Sequence, residues 1–232
     1  MNHKKAVVLL SGGLDSTTAL YAARKEGCQP YCLIIDYGQR HSREIQSAEE
    51  IARRGNFPYQ VLECRLPWGG SALLDSSIPI PKERTYQQMT TGIPTTYVPA
   101  RNTLFLSFAL SWAEVVKAGR IVIGANHIDW SGYPDCRPEF FKAYEKVIQT
   151  GTKMGSEGGE IKIWAPLLEM NKAQIVKLGA QLGVPFEWTW SCYQGERIPC
   201  GRCDSCQLRA KGFKEAGIED PLISVNPSLE QR

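Results

Sequence analysis

The chain has 232 residues, 43% hydrophobic and 22% charged, which is enough to bury a sizeable core and is ordinary for a globular protein. Its net charge of +3 comes from 27 basic against 24 acidic residues with no long run of either sign, so no extended nucleic-acid surface is expected. No stretch is apolar enough to predict a membrane span, and the five apolar residues after Met-Asn-His-Lys-Lys are too few for a secretory core, so the expected location is the cytoplasm.

Residues 6–10 form an apolar run that reads as a strand, and residues 17–26 read as a helix. Between them lies Ser11-Gly12-Gly13-Leu14-Asp15-Ser16. Two glycines let backbone N–H groups turn inward, hydroxyls stand at Ser11, Ser16 and Thr17, and a helix N-terminus supplies positive potential. This is a phosphate cradle, and it predicts an ATP-using enzyme. The Gly-Lys-Ser/Thr ending of a Walker A loop is missing, and Asp15 would repel phosphate unless it capped the helix or faced Mg2+. The expected grip is therefore on the β and γ phosphates as a leaving group, with attack at the α phosphorus. The nucleotide-binding segment is assigned to Leu10, Ser11, Gly12, Gly13, Leu14, Asp15, Ser16, Thr17, Thr18, Ala19 and Leu20. The bland alternative, a glycine-rich turn that binds nothing, is outweighed by the serines, the aspartate and the flanking strand and helix.

Further strands are predicted at residues 31–36, 59–66 and 120–124, and further helices at 42–54, 103–117, 139–150, 172–182 and 206–216. Gly27, Gly55, Gly119, Gly151, Gly183 and Gly217 stand just past helix ends. Such alternation predicts an α/β domain spanning residues 1–232, with a doubly wound, mainly parallel sheet. Ser11, Asp36 and Asn126 would then sit beyond the carboxyl ends of strands, where ligands bind in such sheets. Residues 67–99 hold five prolines and read as a long irregular loop that closes over a ligand.

Of eight cysteines, Cys192, Cys200, Cys203 and Cys206 form Cys-x7-Cys-x2-Cys-x2-Cys, within an insert assigned to residues 188–217. Four thiolates can close a tetrahedral shell around Zn2+ with no open position, so the metal is expected to be structural. An iron–sulfur cluster competes, but Ala210 stands where a ferredoxin-type run needs its next Cys. Cys28, Cys32, Cys64 and Cys136 read as buried small hydrophobes, with Cys136 the one placed to approach substrate.

Other candidates are weaker. Asp36 to Gln39 either contact adenosine or make an ordinary turn. Arg101 and Asn102 open a helix, and Arg101 could steady phosphate or acyl-adenylate oxygens. Asp129, Tyr133, Asp135 and Arg137 are candidate substrate contacts, with aspartates suited to a guanine-like N–H edge and Arg137 to a carboxylate; an aspartate-rich turn is the alternative. Asp15, Arg101 and Arg137 are the candidate catalytic residues. His3, His41 and His127 read as readily as surface or packing residues as they do as catalysts, with His41 and His127 near the crevice. Lys172 is a lysine placed to approach phosphate, and Trp188 and Trp190 are expected to pack the metal-binding segment.

Together, residues 10–16, Asp36-Tyr37-Gly38-Gln39-Arg40-His41, Val98-Pro99-Ala100-Arg101-Asn102, Ser131-Gly132-Tyr133-Pro134-Asp135-Cys136-Arg137 and the four cysteines resemble the 7-cyano-7-deazaguanine synthase family. This family lies within the PP-loop ATP pyrophosphatases, with a Rossmann-like adenine nucleotide alpha hydrolase fold. The resemblance runs from about residue 5 to about residue 212. Ala100 and Leu14 depart from the family's common glycine and glutamine, at positions whose side chains phosphate binding does not need. The resemblance implies conversion of 7-carboxy-7-deazaguanine, ammonia and ATP into the nitrile, a precursor of queuosine in tRNA. It implies two adenylations, of acid and then of amide, with Mg2+ on the phosphates and one structural Zn2+ per chain. No nucleic-acid or membrane partner is expected, and a homodimer stays open. The rivals are a PP-loop tRNA-thiolating enzyme and a non-catalytic zinc ribbon that binds nucleic acid or protein.

Overall fold

The computed structural model describes residues 5–126 and 132–224. Among these, strands β1 (Lys5–Leu9), β2 (Gln29–Asp36), β3 (Tyr59–Glu63), β4 (Arg120–Ile123) and β5 (Lys162–Trp164) pair in parallel in the order β3-β2-β1-β4-β5. The connecting helices are α1 (Leu14–Lys25), α2 (Arg43–Arg54), α3 (Tyr86–Thr90), α4 (Arg101–Val116), α5 (Pro138–Gly151), α6 (Lys153–Ser156), α7 (Lys172–Leu182), α8 (Asp204–Ala216) and α9 (Pro221–Ser224). No helix among the described residues is long and apolar enough to cross a membrane.

A parallel strand needs a crossover helix to return the chain, so both sheet faces are covered and the central strands are apolar except at their ends. Successive β1 side chains go to opposite layers. Val7 and Leu9 pack with Leu106, Ala109 and Leu110 of α4 and Phe141 and Tyr144 of α5. Ala6, Val8 and Leu10 pack with Leu20 and Ala23 of α1, Ile51 of α2, Ile175 of α7 and Phe213 of α8. This is the doubly wound sheet that alternation predicts.

A third, smaller core joins the proline-rich segment to the cysteines: Ala72, Ile80, Trp190, Cys192, Cys203 and Cys206 are buried together. Lys82 makes an antiparallel bridge with Cys203, and the Glu83 N–H donates to the Arg202 carbonyl at 2.9 Å. Arg84 reaches the Asp204 carboxylate, itself buried in the first turn of α8, where a negative charge complements the helix dipole. Residues 67–99 are therefore docked on the cysteine segment, and they contain α3, which opens on a Thr85/Gln88 capping box.

Element boundaries shift by one to three residues from those expected. α1 starts at Leu14 because Gly13 provides the N-cap, α4 at Arg101 and α8 at Asp204. β3 ends at Glu63, yet Cys64 N–H still donates to Asp36 O (2.7 Å) and Leu66 N–H to Tyr37 O (3.1 Å), continuing the pairing irregularly. β5 was not expected from the sequence.

Candidate active site

The sheet order reverses direction between β1 and β4, and the loops leaving their carboxyl ends meet in one crevice. Gly124, just past β4, touches the start of α1: a Cβ there would lie 2.7 Å from the Ser16 nitrogen. Gly12 has φ +78°, and a Cβ on it would lie 2.3 Å from the Glu44 carbonyl oxygen. Both positions require glycine to bring α1, α2 and β4 this close. The Gly12 carbonyl accepts from Trp190 N–H at 2.9 Å, anchoring the loop to the cysteine segment.

Within the loop the hydroxyls bind one another and the backbone. Ser11 Oγ and Ser16 Oγ are 3.0 Å apart, Ser16 Oγ accepts from Ser11 N–H (3.2 Å), and Thr17 Oγ1 donates to the Gly13 carbonyl (2.8 Å). Gly13 itself has no side chain to cap α1. The first N–H groups of that helix thus remain available to an anion.

A cavity of about 230 Å3 opens over this loop, lined by Leu10, Ser11, Gly13, Leu14, Asp15 and Ser16 and by Gly124, Ala125 and Asn126 after β4. Lys172, in the first turn of α7, also lines it and donates to both Asp15 oxygens at 2.8 and 2.7 Å. Gly212 of α8 makes room for this lysine, since a Cβ there would lie 2.4 Å from Lys172 Cγ. Asp15 thus faces a lysine rather than capping its own helix. Thr17, Thr18, Ala19 and Leu20 belong to the buried body of α1 and do not line the cavity. Thr18 Oγ1 donates to the Leu14 carbonyl at 2.8 Å, a bond inside the helix.

Arg101, Asn102, Tyr37, Tyr133 and Cys136 line the cavity as well. Burial opposes the Arg101 charge, but the Tyr37 and Tyr133 phenols and the Asp135 carboxylate around it outweigh that and raise its pKa. Burial pushes the Tyr133 phenol and the Cys136 thiol each up to about 12, so both stay neutral, and Tyr133 Oη lies 2.9 Å from Thr96 Oγ1. Asp135 is buried outside the lining and accepts from the Asn102 N–H at 3.1 Å, while Asn102 Nδ2 donates to the Asp135 carbonyl at 3.0 Å. The pair fixes the start of α4. Arg137 is exposed at the N-cap of α5, outside the lining. Asp129, His127, Ser131 and His3 lie outside the described residues.

The Asp36 to Gln39 segment divides. The Asp36 carboxylate accepts from Gly38 N–H (3.1 Å) in a local turn, while Tyr37 and Gln39 line the cavity. His41 has a buried Nδ1 with no hydrogen-bond partner among the described residues and lies outside the lining. Trp190 packs with the cysteines as expected; Trp188 is part-exposed and stacks under Arg54 instead. The sequence reading missed Glu44, Ser191, Tyr193 and Arg209, all of which line the cavity. Arg209 had no visible signal, because its buried ion pair with Asp220 (2.7 Å) and its bond to Thr189 Oγ1 (2.8 Å) join segments distant in sequence.

The sulfurs of Cys192, Cys200, Cys203 and Cys206 all lie within 4.8 Å of one another, so the cluster could hold a metal ion. Cys200 Sγ and Cys206 Sγ are 4.0 Å apart, near the roughly 3.8 Å edge of a tetrahedron with 2.3 Å metal–sulfur bonds.

A family model described as queuosine biosynthesis protein QueC matches residues 5–217. Relatives named 7-cyano-7-deazaguanine synthase include one from Trichodesmium erythraeum (strain IMS101), 55% identical over 94% of this chain and 100% of its own length. Those from Nostoc punctiforme (strain ATCC 29133 / PCC 73102) and Anaeromyxobacter dehalogenans (strain 2CP-C) are 52% and 53% identical, each over 94% of this chain and over 99% and 94% of their own lengths. On this match over nearly its whole length, the chain belongs to the QueC family of queuosine biosynthesis proteins.

Proposed function

We propose that this chain converts 7-carboxy-7-deazaguanine and ammonia into 7-cyano-7-deazaguanine at the expense of ATP, in the cytoplasm. The observation that carries the reading is the convergence of the hydroxyl-rich loop, Asp15–Lys172 and Arg101 on one cavity, in a chain more than half identical to relatives bearing that enzyme's name.

A carboxylate is a poor electrophile, so the acid needs a better leaving group before nitrogen can attack. The loop amides and the Ser11 and Ser16 hydroxyls hold the β and γ phosphates, leaving the α phosphorus open to the substrate oxygen. Lys172 supplies positive charge where pyrophosphate departs. Arg101, whose charge is secured by its surroundings, steadies the substrate carboxylate and then the acyl-adenylate oxygens. This role was expected of Arg137, whose exposed place outside the lining suits it less well. Tyr133 presents a neutral hydroxyl to the deazapurine, and Asp135 acts through the start of α4. Ammonia displaces AMP to give the amide, and a second adenylation of the amide oxygen allows its loss as AMP. Mg2+ would neutralise phosphate charge when bound, and Asp15 would hold it by giving up a contact to Lys172. The four cysteines would hold Zn2+ in a closed shell with a structural role.

Mass spectrometry of the full chain with the acid, ammonium, Mg2+ and ATP tests the reading. The nitrile should accumulate with AMP, and AMP should not form when the acid is omitted. AMP formation that needs tRNA instead of the acid would favour thiolation and overturn it.

A further inference from the structure

Glu44 stands in the first turn of α2, and its backbone abuts the Gly12 turn so closely that no Cβ fits between them. Among the described residues, Asp15 and Glu44 are the two carboxylates that line the cavity. Asp15 is engaged through both oxygens by Lys172. The Glu44 carboxylate receives no hydrogen bond or salt bridge from any described residue, and neither oxygen is sealed from solvent space. The site thus holds an unengaged carboxylate beside the phosphate loop, in the same cavity as Arg101.

The charged and titratable side chains that share this cavity with it include Arg101 of α4, Tyr37 after β2, and Tyr193 of the cysteine segment. A carboxylate whose oxygens are unengaged and open to the cavity can accept a proton from a nitrogen bound there.

The reaction proposed above needs such a group, and this inference rests on that reading. Ammonium has no lone pair, so it must lose a proton before its nitrogen can attack. As the C–N bond forms and the C–O bond to AMP breaks, AMP leaves with the electron pair and the nitrogen loses a second proton. In the second round the amide oxygen attacks the α phosphorus and pyrophosphate leaves. The nitrogen then loses its remaining two protons as the C–O bond breaks and the nitrile forms. We infer that Glu44 is the proton acceptor for the attacking nitrogen and for the amide nitrogen that becomes the nitrile.

Glu44→Gln keeps the size of the side chain and removes the basic oxygen. Two readouts separate its roles: acid-dependent exchange of labelled pyrophosphate into ATP without ammonium, which reports adenylation alone, and nitrile formation with ammonium across a pH range. The expected result is exchange retained while nitrile formation falls about 10²–10⁴-fold, with the loss shrinking as pH rises and free ammonia becomes abundant. Glu44→Asp, which keeps a carboxylate, should recover part of the nitrile rate. Equal losses of exchange and nitrile formation, or an unchanged nitrile rate, would overturn the inference. Absence of acid-dependent exchange in the unaltered chain would overturn the functional reading and this inference with it.

Discussion

At the residue scale, the most consequential contact is the ion pair between Asp15 and Lys172, residues far apart in sequence that the fold brings together at the phosphate loop. Their side chains are 20% and 9% exposed, so removing one partner strands a partly buried charge. Lys172→Met or Asp15→Asn should each cost about 1–3 kcal/mol of stability, whereas the double variant should regain most of it. Activity should behave differently: Lys172→Met and the double variant should each lose about 10²–10³-fold in turnover, because the charge that meets pyrophosphate is gone. Thermal melts and AMP release on the same samples check this, and a double variant that regains both would show the pair to be structural only. The loop residues were readable because Ser11, Gly12, Gly13, Asp15 and Ser16 are contiguous. Lys172 was only suspected, and Glu44 was missed, because neither belongs to a local motif and each reaches the cavity from the first turn of a separate helix.

At the scale of elements, the three central strands β2, β1 and β4 were legible as apolar runs because parallel strands buried on both faces carry little polar alternation. β5 was not, since it has three residues at the sheet edge and only Ile163 and Trp164 are apolar. The starts of α1, α4 and α8 came earlier than expected for a shared reason: none has a side-chain cap, so the usual signal for a helix start is missing. The proline-rich segment was visible as irregular, but its destination was not. It docks on the cysteine segment through Lys82, Glu83 and Arg84, and the same segment supplies Ser191 and Tyr193 to the cavity. A metal on the four sulfurs would thus support both the docked loop and one wall of the site. Chelation should therefore raise amide hydrogen exchange in residues 188–217 and in residues 67–99 together, while β1 and β4 stay protected. Arg84→Ala, which leaves the buried Asp204 carboxylate unpaired, should cost about 3–5 kcal/mol and loosen the same two segments. Loosening of residues 188–217 alone would mean that the loop does not depend on the metal site.

At the scale of the whole molecule, the five-stranded order β3-β2-β1-β4-β5 explains why the chemistry sits where it does. Crossovers leave the sheet to opposite sides from β1 and β4, and the crevice between them receives α1, α4 and α7 by their N-termini. The first amides of α1, Arg101 and Lys172 therefore come from three helices whose positive ends converge on one cavity. Sequence alternation disclosed the architecture and the place of the first of these helices beside the cavity. The convergence of the other two is a property of the assembled sheet. In the proposed reaction the substrate's own oxygens attack the α phosphorus of ATP twice. The most direct test uses 7-carboxy-7-deazaguanine with both carboxylate oxygens labelled with heavy oxygen, in the complete reaction with ammonium, Mg2+ and ATP. Each AMP should carry one labelled oxygen, and the nitrile should carry none. Label found in inorganic phosphate or pyrophosphate, or AMP without label, would contradict the account.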